Sequence, residues 1–419
     1  MIEEAIKYPE GWMPDEESII KVIGVGGGGC NAVTYMFNQK IQGCNFIVCN
    51  TDSQALQRSN VPTKIQLGAG LGAGTDPFKG RNAALESQAE IEEKIAGPGT
   101  KMLFITAGMG GGTGTGASPV IAEIAKKHGI LTVAVVTLPF ENEGDEALTK
   151  AIDGIHELQQ YVDSLLLINN EKLYEYFGDQ LIQDAFPKAD EVLATAVAGI
   201  TEIISKPGFI NVDFEDVKTM MRSSGMALMG CGVGSGENRI KDAVDGALRS
   251  PLLNDFDLKT AKNVLVNITA GKNENGLKMN DLNKINDLIN EYTGNANRFK
   301  RGLIWDDDPS IGDTVKITAI ATGFNMGVLD TITHGKQGNL IIIDSDFTYR
   351  PAQDEPGVEI PLSEEFTVNK INHSTSENHR RFFYPEDETP VLIVKPGENL
   401  SELENIPAFR RFKKTKNQQ

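Results

Sequence analysis

The seven-residue run Gly110-Gly111-Gly112-Thr113-Gly114-Thr115-Gly116 constrains this chain more than any other feature. The apolar stretch Met102–Ala107 before it reads as a buried parallel strand, and Ala117-Ser118-Pro119 after it as the opening of an amphipathic helix. Proline is expected near the first turn, where its missing N–H leaves nothing unpaired. Glycines permit positive φ and close backbone approach, so successive N–H groups can converge on an anion at the following helix N-terminus. The two threonines add hydroxyls for phosphate or for a metal-bound water. The combination reads as a phosphate cradle. It is not a Walker P-loop, because G-x-x-x-x-G-K-[ST] occurs nowhere in the sequence.

A second glycine turn, Gly26-Gly27-Gly28-Gly29-Cys30-Asn31, follows the first apolar strand. Alone it fits a nicotinamide dinucleotide site, with Asp52 as the ribose acid. Paired with the longer run it gives two backbone cradles at adjacent strand ends, suited to one triphosphate. Asn50-Thr51-Asp52 offers a polar cluster at the same edge. Gly70-Leu71-Gly72-Ala73-Gly74-Thr75 reads as a loop that closes over a terminal phosphate.

Apolar strands at Lys21–Val25, Asn45–Cys49, Met102–Ala107, Leu131–Thr137 and Ser164–Ile168 alternate with helical stretches. That rhythm predicts a mixed α/β, Rossmann-type parallel sheet with its ligand loops at the carboxyl ends of the strands. A long helix is predicted over 180–206, with Val192, Leu193, Ala196, Val197, Ile200, Ile203 and Ile204 on its apolar face. Strands at Asn263–Thr269, Thr314–Thr322 and Leu340–Ile343 then predict a second, smaller α/β domain. The expected organisation is a flexible arm 1–18, a nucleotide-binding domain 19–179, the central helix 180–206 and a second domain 207–345. An acidic, proline-rich disordered linker 346–404 and a short docking peptide 405–419 complete it.

Forty basic against 58 acidic residues give a net charge of −18, which argues against a nucleic-acid surface. No apolar run reaches the length of a membrane span, and no signal peptide is visible. Cys30, Cys44, Cys49 and Cys231 form no C-x-x-C pair and read as reduced thiols of a cytoplasmic protein.

The run G-G-G-T-G-T-G and the residues around it resemble the tubulin/FtsZ family of GTPases. The resemblance covers residues 19 to about 345, including N-V-D-F-x-D-V at 211–217, and reappears in Ile406-Pro407-Ala408-Phe409. It implies GTP and GDP as ligands, with magnesium bound mainly through the phosphates and no dedicated metal site. Nucleotide contacts are then expected from Gly27, Gly28, Gly29, Asn31, Asn50, Gly72, Ala73, Gly74, Gly108, Gly110, Gly111, Gly112, Thr113, Gly114, Thr115, Gly116 and Asn170. Pro139 and Glu143 would lie near the ribose, Phe186 would stack on guanine, and Asp190 would accept from the guanine edge. A carboxylate matches the paired N1–H and N2–H donors of guanine, which adenine lacks.

The same resemblance implies that Asn211, Asp213 and Asp216 complete the site of the next subunit in a head-to-tail polymer that forms the cytokinetic ring at mid-cell. The simpler reading of Asp213 and Asp216 is a helix cap. Membrane-anchor division proteins of the actin-like FtsA type would bind Ile406–Phe412. One departure stays open. Ala147 stands where the family usually has arginine, and a non-hydrolysing tubulin-fold scaffold is the alternative that Ala147 favours.

Overall fold

Val, Ile and Leu in unbroken runs can be buried on both faces only when helices cover both sides of a sheet. In the computed structural model, β4 (Met102–Gly108) and β5 (Leu131–Leu138) are such strands, every residue but Gly108 being buried. The structure describes residues 18–324, except 98, 172–180, 207, 250–257, 295 and 307–310, together with 342–343 and 349–350. The expected docking peptide Ile406–Phe412 lies outside the described residues, as do residues 1–17 of the arm and the side chain of Phe186. The linker expected to be disordered over 346–404 is described only at Tyr349–Arg350, which form a short strand instead.

One sheet runs through the main unit. Its first six strands in chain order are β1 (Ile20–Val25), β2 (Asn45–Asn50), β3 (Thr63–Gln66), β4, β5 and β6 (Ser164–Asn169). They are followed by β7 (Gly225–Gly234), β8 (Asn263–Gly271), β9 (Arg298–Asp306) and β10 (Val315–Phe324). The spatial order is β3-β2-β1-β4-β5-β6-β7-β10-β8-β9. Neighbours up to β7 are parallel, β8 and β9 are parallel to each other, and β10 alone is antiparallel to both its neighbours. Every strand except β10 therefore points the same way, which gives the sheet a carboxyl end and an amino end. The segments 19–179 and 207–345, expected as separate domains, share this sheet: Ser164, Leu165 and Leu166 pair with Gly225, Met226 and Ala227. Separately from that unit, Ile342–Ile343 pairs antiparallel with Tyr349–Arg350.

The helix over 182–205 (Ile182–Ser205) carries the expected apolar face into the main core. Leu193, Ala196, Val197, Ile200 and Ile203 are buried there with Val33, Met36 and Phe37 of α1 (Gly26–Asn38). Phe104 of β4 is wholly enclosed in the same core.

The helix after the glycine run differs from the sequence reading. It spans Gly112–Lys127, and every residue from Gly112 to Ala122 is buried, so it is not amphipathic over that length. Pro119 lies in its interior and leaves the Thr115 carbonyl without its helical donor. Glycine propensity argues against a helix beginning this early. Close packing overrides it: a Cβ on Gly116 would lie 1.9 Å from the Pro77 carbonyl oxygen.

Strands β3, β7 and β9 are absent from the sequence reading. The β7 sequence is rich in glycine because α-helix Arg239–Leu248 lies directly on it; a Cβ on Gly232 would meet the Ala243 oxygen at 2.0 Å. The β9 sequence opens with Arg-Phe-Lys-Arg, which breaks the apolar pattern because that end of the strand is exposed.

Candidate functional site

At the carboxyl end of the sheet, the chain leaves β1 at Gly26, whose φ of +72° excludes ordinary side chains. The glycines of the two turns then divide into two kinds. Those at 26, 29, 112, 114 and 116 are packing glycines: a Cβ on each would come within 3 Å of a neighbouring atom, for example 2.2 Å from the Thr106 oxygen for Gly29. Gly27 and Gly111 open outward with nothing within 4 Å, as do Gly72 and Gly74 in the loop opposite. Gly28 is exposed beside the backbone of Gly108. Packing glycines thus bring the turns together, and the open ones face unfilled space. Asn31 is exposed one residue beyond the first turn's cysteine.

Both threonine hydroxyls of the long run are engaged within the protein. Thr113 shares a 2.7 Å hydrogen bond with Thr51, tying the end of β2 to the cradle. Thr115 accepts from the Gly110 N–H at 2.9 Å and is buried, so it shapes the turn. Asn50 is buried and accepts from the Asp52 N–H at 3.3 Å. The Asp52 carboxylate in turn caps the short helix Ser53–Arg58.

The 70–75 loop is fastened to the same edge. Ser53 N–H donates to Gly70 O, Gly72 N–H donates to Thr51 O, and Ala73 is buried next to Gly112. Thr75 has a φ of +60°, and its carbonyl accepts from Lys150 Nζ at 2.9 Å. Lys150 also pairs with Glu146 at 2.7 Å. It stands three residues after Ala147 on the helix Asp145–Gln159, so it rises on nearly the same helical face. Sequence reasoning missed it, although that i,i+3 spacing was the available signal.

Pro139 is buried and backs Gly110, while Glu143 is exposed and accepts from the Phe140 N–H at 2.9 Å. After β6, Asn170 is buried with its Oδ1 lacking a hydrogen-bond partner. A buried unpaired carbonyl is costly unless a ligand supplies the donor. Asp190, on the long helix, is half-buried, and desolvation pushes its carboxyl up to about 6. The unpaired Asn170 acceptor, just past the carboxyl end of β6, fits a ligand that presents an N–H or O–H donor.

Asn211, Asp213 and Asp216 are elsewhere. They precede and open the helix Phe214–Met221, which leads into the amino end of β7. Asn211 Oδ1 accepts from the Gly208 N–H at 2.7 Å. Asp213 and Asp216 form a reciprocal capping box, the Asp216 N–H donating to Asp213 Oδ1 at 2.7 Å. Asp216 is also ion-paired at 2.8 Å with Lys300 of β9. The cap expected as the simpler reading is present, and these carboxylates sit at the amino end of the sheet. At about 3.3 Å per residue, the seven residues of β4 put that end roughly 20 Å from the cradle.

Cys30, Cys44 and Cys49 are buried free thiols and Cys231 is a partly buried one. Burial pushes the Cys30 and Cys44 thiols up to about 12, so neither is a nucleophile at neutral pH. Among the described residues, no helix is long and apolar enough to cross a membrane.

The parallel sheet, the paired glycine turns at its carboxyl end and the long core helix define a tubulin-like nucleotide-binding protein. Residues 19–178 match the model of the Tubulin/FtsZ family GTPase domain, and 225–325 match the FtsZ family C-terminal domain. The chain is 49% identical over 313 residues to the cell division protein FtsZ of Pseudomonas putida, covering 74% of this chain and 77% of that one. It is 41% identical over 396 residues to FtsZ of Porphyromonas gingivalis, covering 92% and 82%. Among solved structures it resembles an empty FtsZ dimer from M. jannaschii, at 41% identity and a TM-score of 0.66, covering 73% and 88%. GDP-bound CetZ1 from Haloferax volcanii shares the fold at 19% identity and a TM-score of 0.65, covering 75% and 97%. The chain belongs to the FtsZ family and is a GTPase.

Proposed function

We propose that this GTPase binds GTP and GDP at the carboxyl end of its sheet and polymerises head to tail in bacterial cell division. In this reading the open glycines hold the phosphates, Pro139 and Glu143 flank the ribose, and Phe186 and Asp190 select guanine, with Asn170 completing the pocket. Magnesium, carried mainly by the phosphates, would neutralise charge that develops on them. Asn211, Asp213 and Asp216 of the next copy would orient the attacking water, the positioning task that dominates phosphoryl transfer. Two domains, 19–179 and 207–345, would work on either side of the central helix 180–206. The filament would form the cytokinetic ring at the inner face of the membrane, held through Ile406–Phe412 by anchors of the FtsA type.

One observation carries this reading: the cradle and the aspartate pair lie at opposite ends of one sheet, so a chain cannot bring both to the same nucleotide. A head-to-tail contact joins them and, being heterologous, propagates as a filament. The exposed side chains fit such a contact, with Leu71 93% and Phe78 79% exposed near the cradle, and Phe209 74% exposed against Trp305 near Asn211. The test is GTPase rate against protein concentration with light scattering in the same cuvette. A shared threshold is expected. A rate strictly proportional to protein, without scattering, would mean a self-contained enzyme, and nucleotide binding without phosphate release would mean a scaffold.

A further inference from the structure

Two carboxylates are poor company for a triphosphate. If Asp213 and Asp216 enter a neighbour's nucleotide site, their charges repel the phosphates they are meant to approach, and a water-excluded interface strengthens that repulsion. The amino end of the sheet holds an answer. Lys300 Nζ lies 2.8 Å from Asp216 Oδ1, with the lysine side chain 46% exposed and that of Asp216 25% exposed. Two other lysines near the pair are engaged differently: Lys218 pairs with Glu215 and, like Lys101, lies over the Phe214 ring. Lys300 comes from β9, a different element from the helix that carries the aspartates, so the pairing is a tertiary arrangement and not a by-product of helix spacing. Residues 298–300 are exposed where an edge strand would otherwise be covered.

We propose that Lys300 is a positioning residue of the assembly-dependent GTPase: its ammonium accompanies Asp216 into the neighbour's site, offsets the carboxylate charge and fixes the carboxylate that orients water. This inference rests on the head-to-tail reading above. A fixed cation beside developing phosphate charge lowers a barrier without reorganisation. A plain surface ion pair at this exposure would have almost no effect on either stability or rate.

The experiment compares full-length wild type with Lys300→Met, Lys300→Gln and Lys300→Arg. Two quantities are measured: GTP affinity below the assembly threshold, and turnover per sedimented subunit above it. Lys300→Met is expected to keep GTP affinity within about twofold, because the cradle is at the other end of the sheet, and to lose at least about tenfold in turnover. Lys300→Arg should recover most of that loss and Lys300→Gln should not. Mixing Lys300→Met with a cradle-blocked Gly111→Asp copy should recover turnover, since each Gly111→Asp copy presents an intact Lys300 end. Wild-type turnover in Lys300→Met would overturn the proposal, leaving a surface ion pair. Full recovery by Lys300→Gln would overturn the charge role, and loss of assembly at every concentration would make Lys300 a docking contact instead. If wild-type turnover itself shows no assembly threshold, the head-to-tail reading fails, a result distinct from all of these.

Discussion

Lys101 lies over the Phe214 ring, 6.0 Å from its centroid, at the residue before β4, and the far end of that strand delivers Gly110 to the cradle. Phe214 sits between the cap residue Asp213 and Asp216. One straight, buried strand thus holds the aspartate pair a full strand length from the nucleotide loops of its own chain. For this aspartate pair to reach its own chain's cradle, that strand would have to leave the sheet.

Asp216→Ala is expected to leave GTP affinity of the unassembled protein unchanged and to lower turnover about 10²–10³-fold, the loss typical of removing one positioned polar group. Half of the capping box goes too, so the melting temperature should fall by a few degrees, in keeping with about 1 kcal/mol for a cap. Equilibrium nucleotide binding and phosphate release measure the two effects separately. Weakened GTP binding would place Asp216 in its own chain's pocket.

Asp190 gives a pH dependence with a defined sign. Its carboxyl, ordinarily near 3.8, is pushed up to about 6 by burial. The folded protein therefore binds this proton more tightly than the unfolded chain. The stability it contributes is present below the unfolded value and is lost as pH rises from about 4 through about 6. Asp190→Asn should melt higher than wild type at pH 7.5, with the difference shrinking by pH 4.5. In the proposed pocket the guanine edge is met by the ionised form, so GDP affinity should fall as pH drops below about 6 in wild type. In Asp190→Asn it should be weak and flatter with pH. Equal pH profiles in the two proteins would remove Asp190 from the pocket.

Lys150 lies one turn along the helix from Ala147. Its ammonium holds the Thr75 carbonyl and so fixes the loop that faces the cradle. In the proposed reading, where this loop closes over the terminal phosphate, Lys150→Met should weaken GTP more than GDP, by about three- to tenfold, the bond being only partly shielded from water. Competition binding with the two nucleotides reads this directly. An equal loss for both would assign Lys150 to helix packing alone.

The two kinds of glycine predict opposite phenotypes. Gly114→Ala puts a methyl 2.3 Å from the Gly108 carbonyl oxygen and should cost about 1–3 kcal/mol of stability. Gly111→Ala meets nothing within 4 Å and should melt like wild type while binding GTP less tightly. Thermal denaturation beside nucleotide binding separates them.

Much of this arrangement is legible in the residues. The apolar runs of β1, β2, β4, β5 and β6 announce a parallel sheet because both of their faces are buried. Val192 to Ile204 announce the core helix because its buried face repeats at helical spacing. What the sequence hides is tertiary in origin. Glycines at 112–116 look like loop but form the first turn of a helix, because Pro77 and Arg81 press against it. Strand β7 looks too glycine-rich for a strand because a helix lies on it, and β9 looks too charged because its first residues face outward. Likewise Thr51–Thr113, Lys150–Thr75 and Lys300–Asp216 join residues at least 62 positions apart, and no local pattern encodes such pairs.

The most direct test of the split site is complementation between two inactive proteins. Gly111→Asp blocks the cradle and leaves the aspartate end intact; Asp213→Ala does the reverse. Each alone should turn over GTP at least about a hundredfold more slowly than wild type. Mixed in equal amounts under assembling conditions, with co-sedimentation confirming that both are in the polymer, they should recover a substantial fraction of wild-type turnover. That recovery follows because some interfaces pair an intact cradle with an intact aspartate pair. Co-assembly without any recovery would contradict the account and return the water-positioning group to the cradle's own chain.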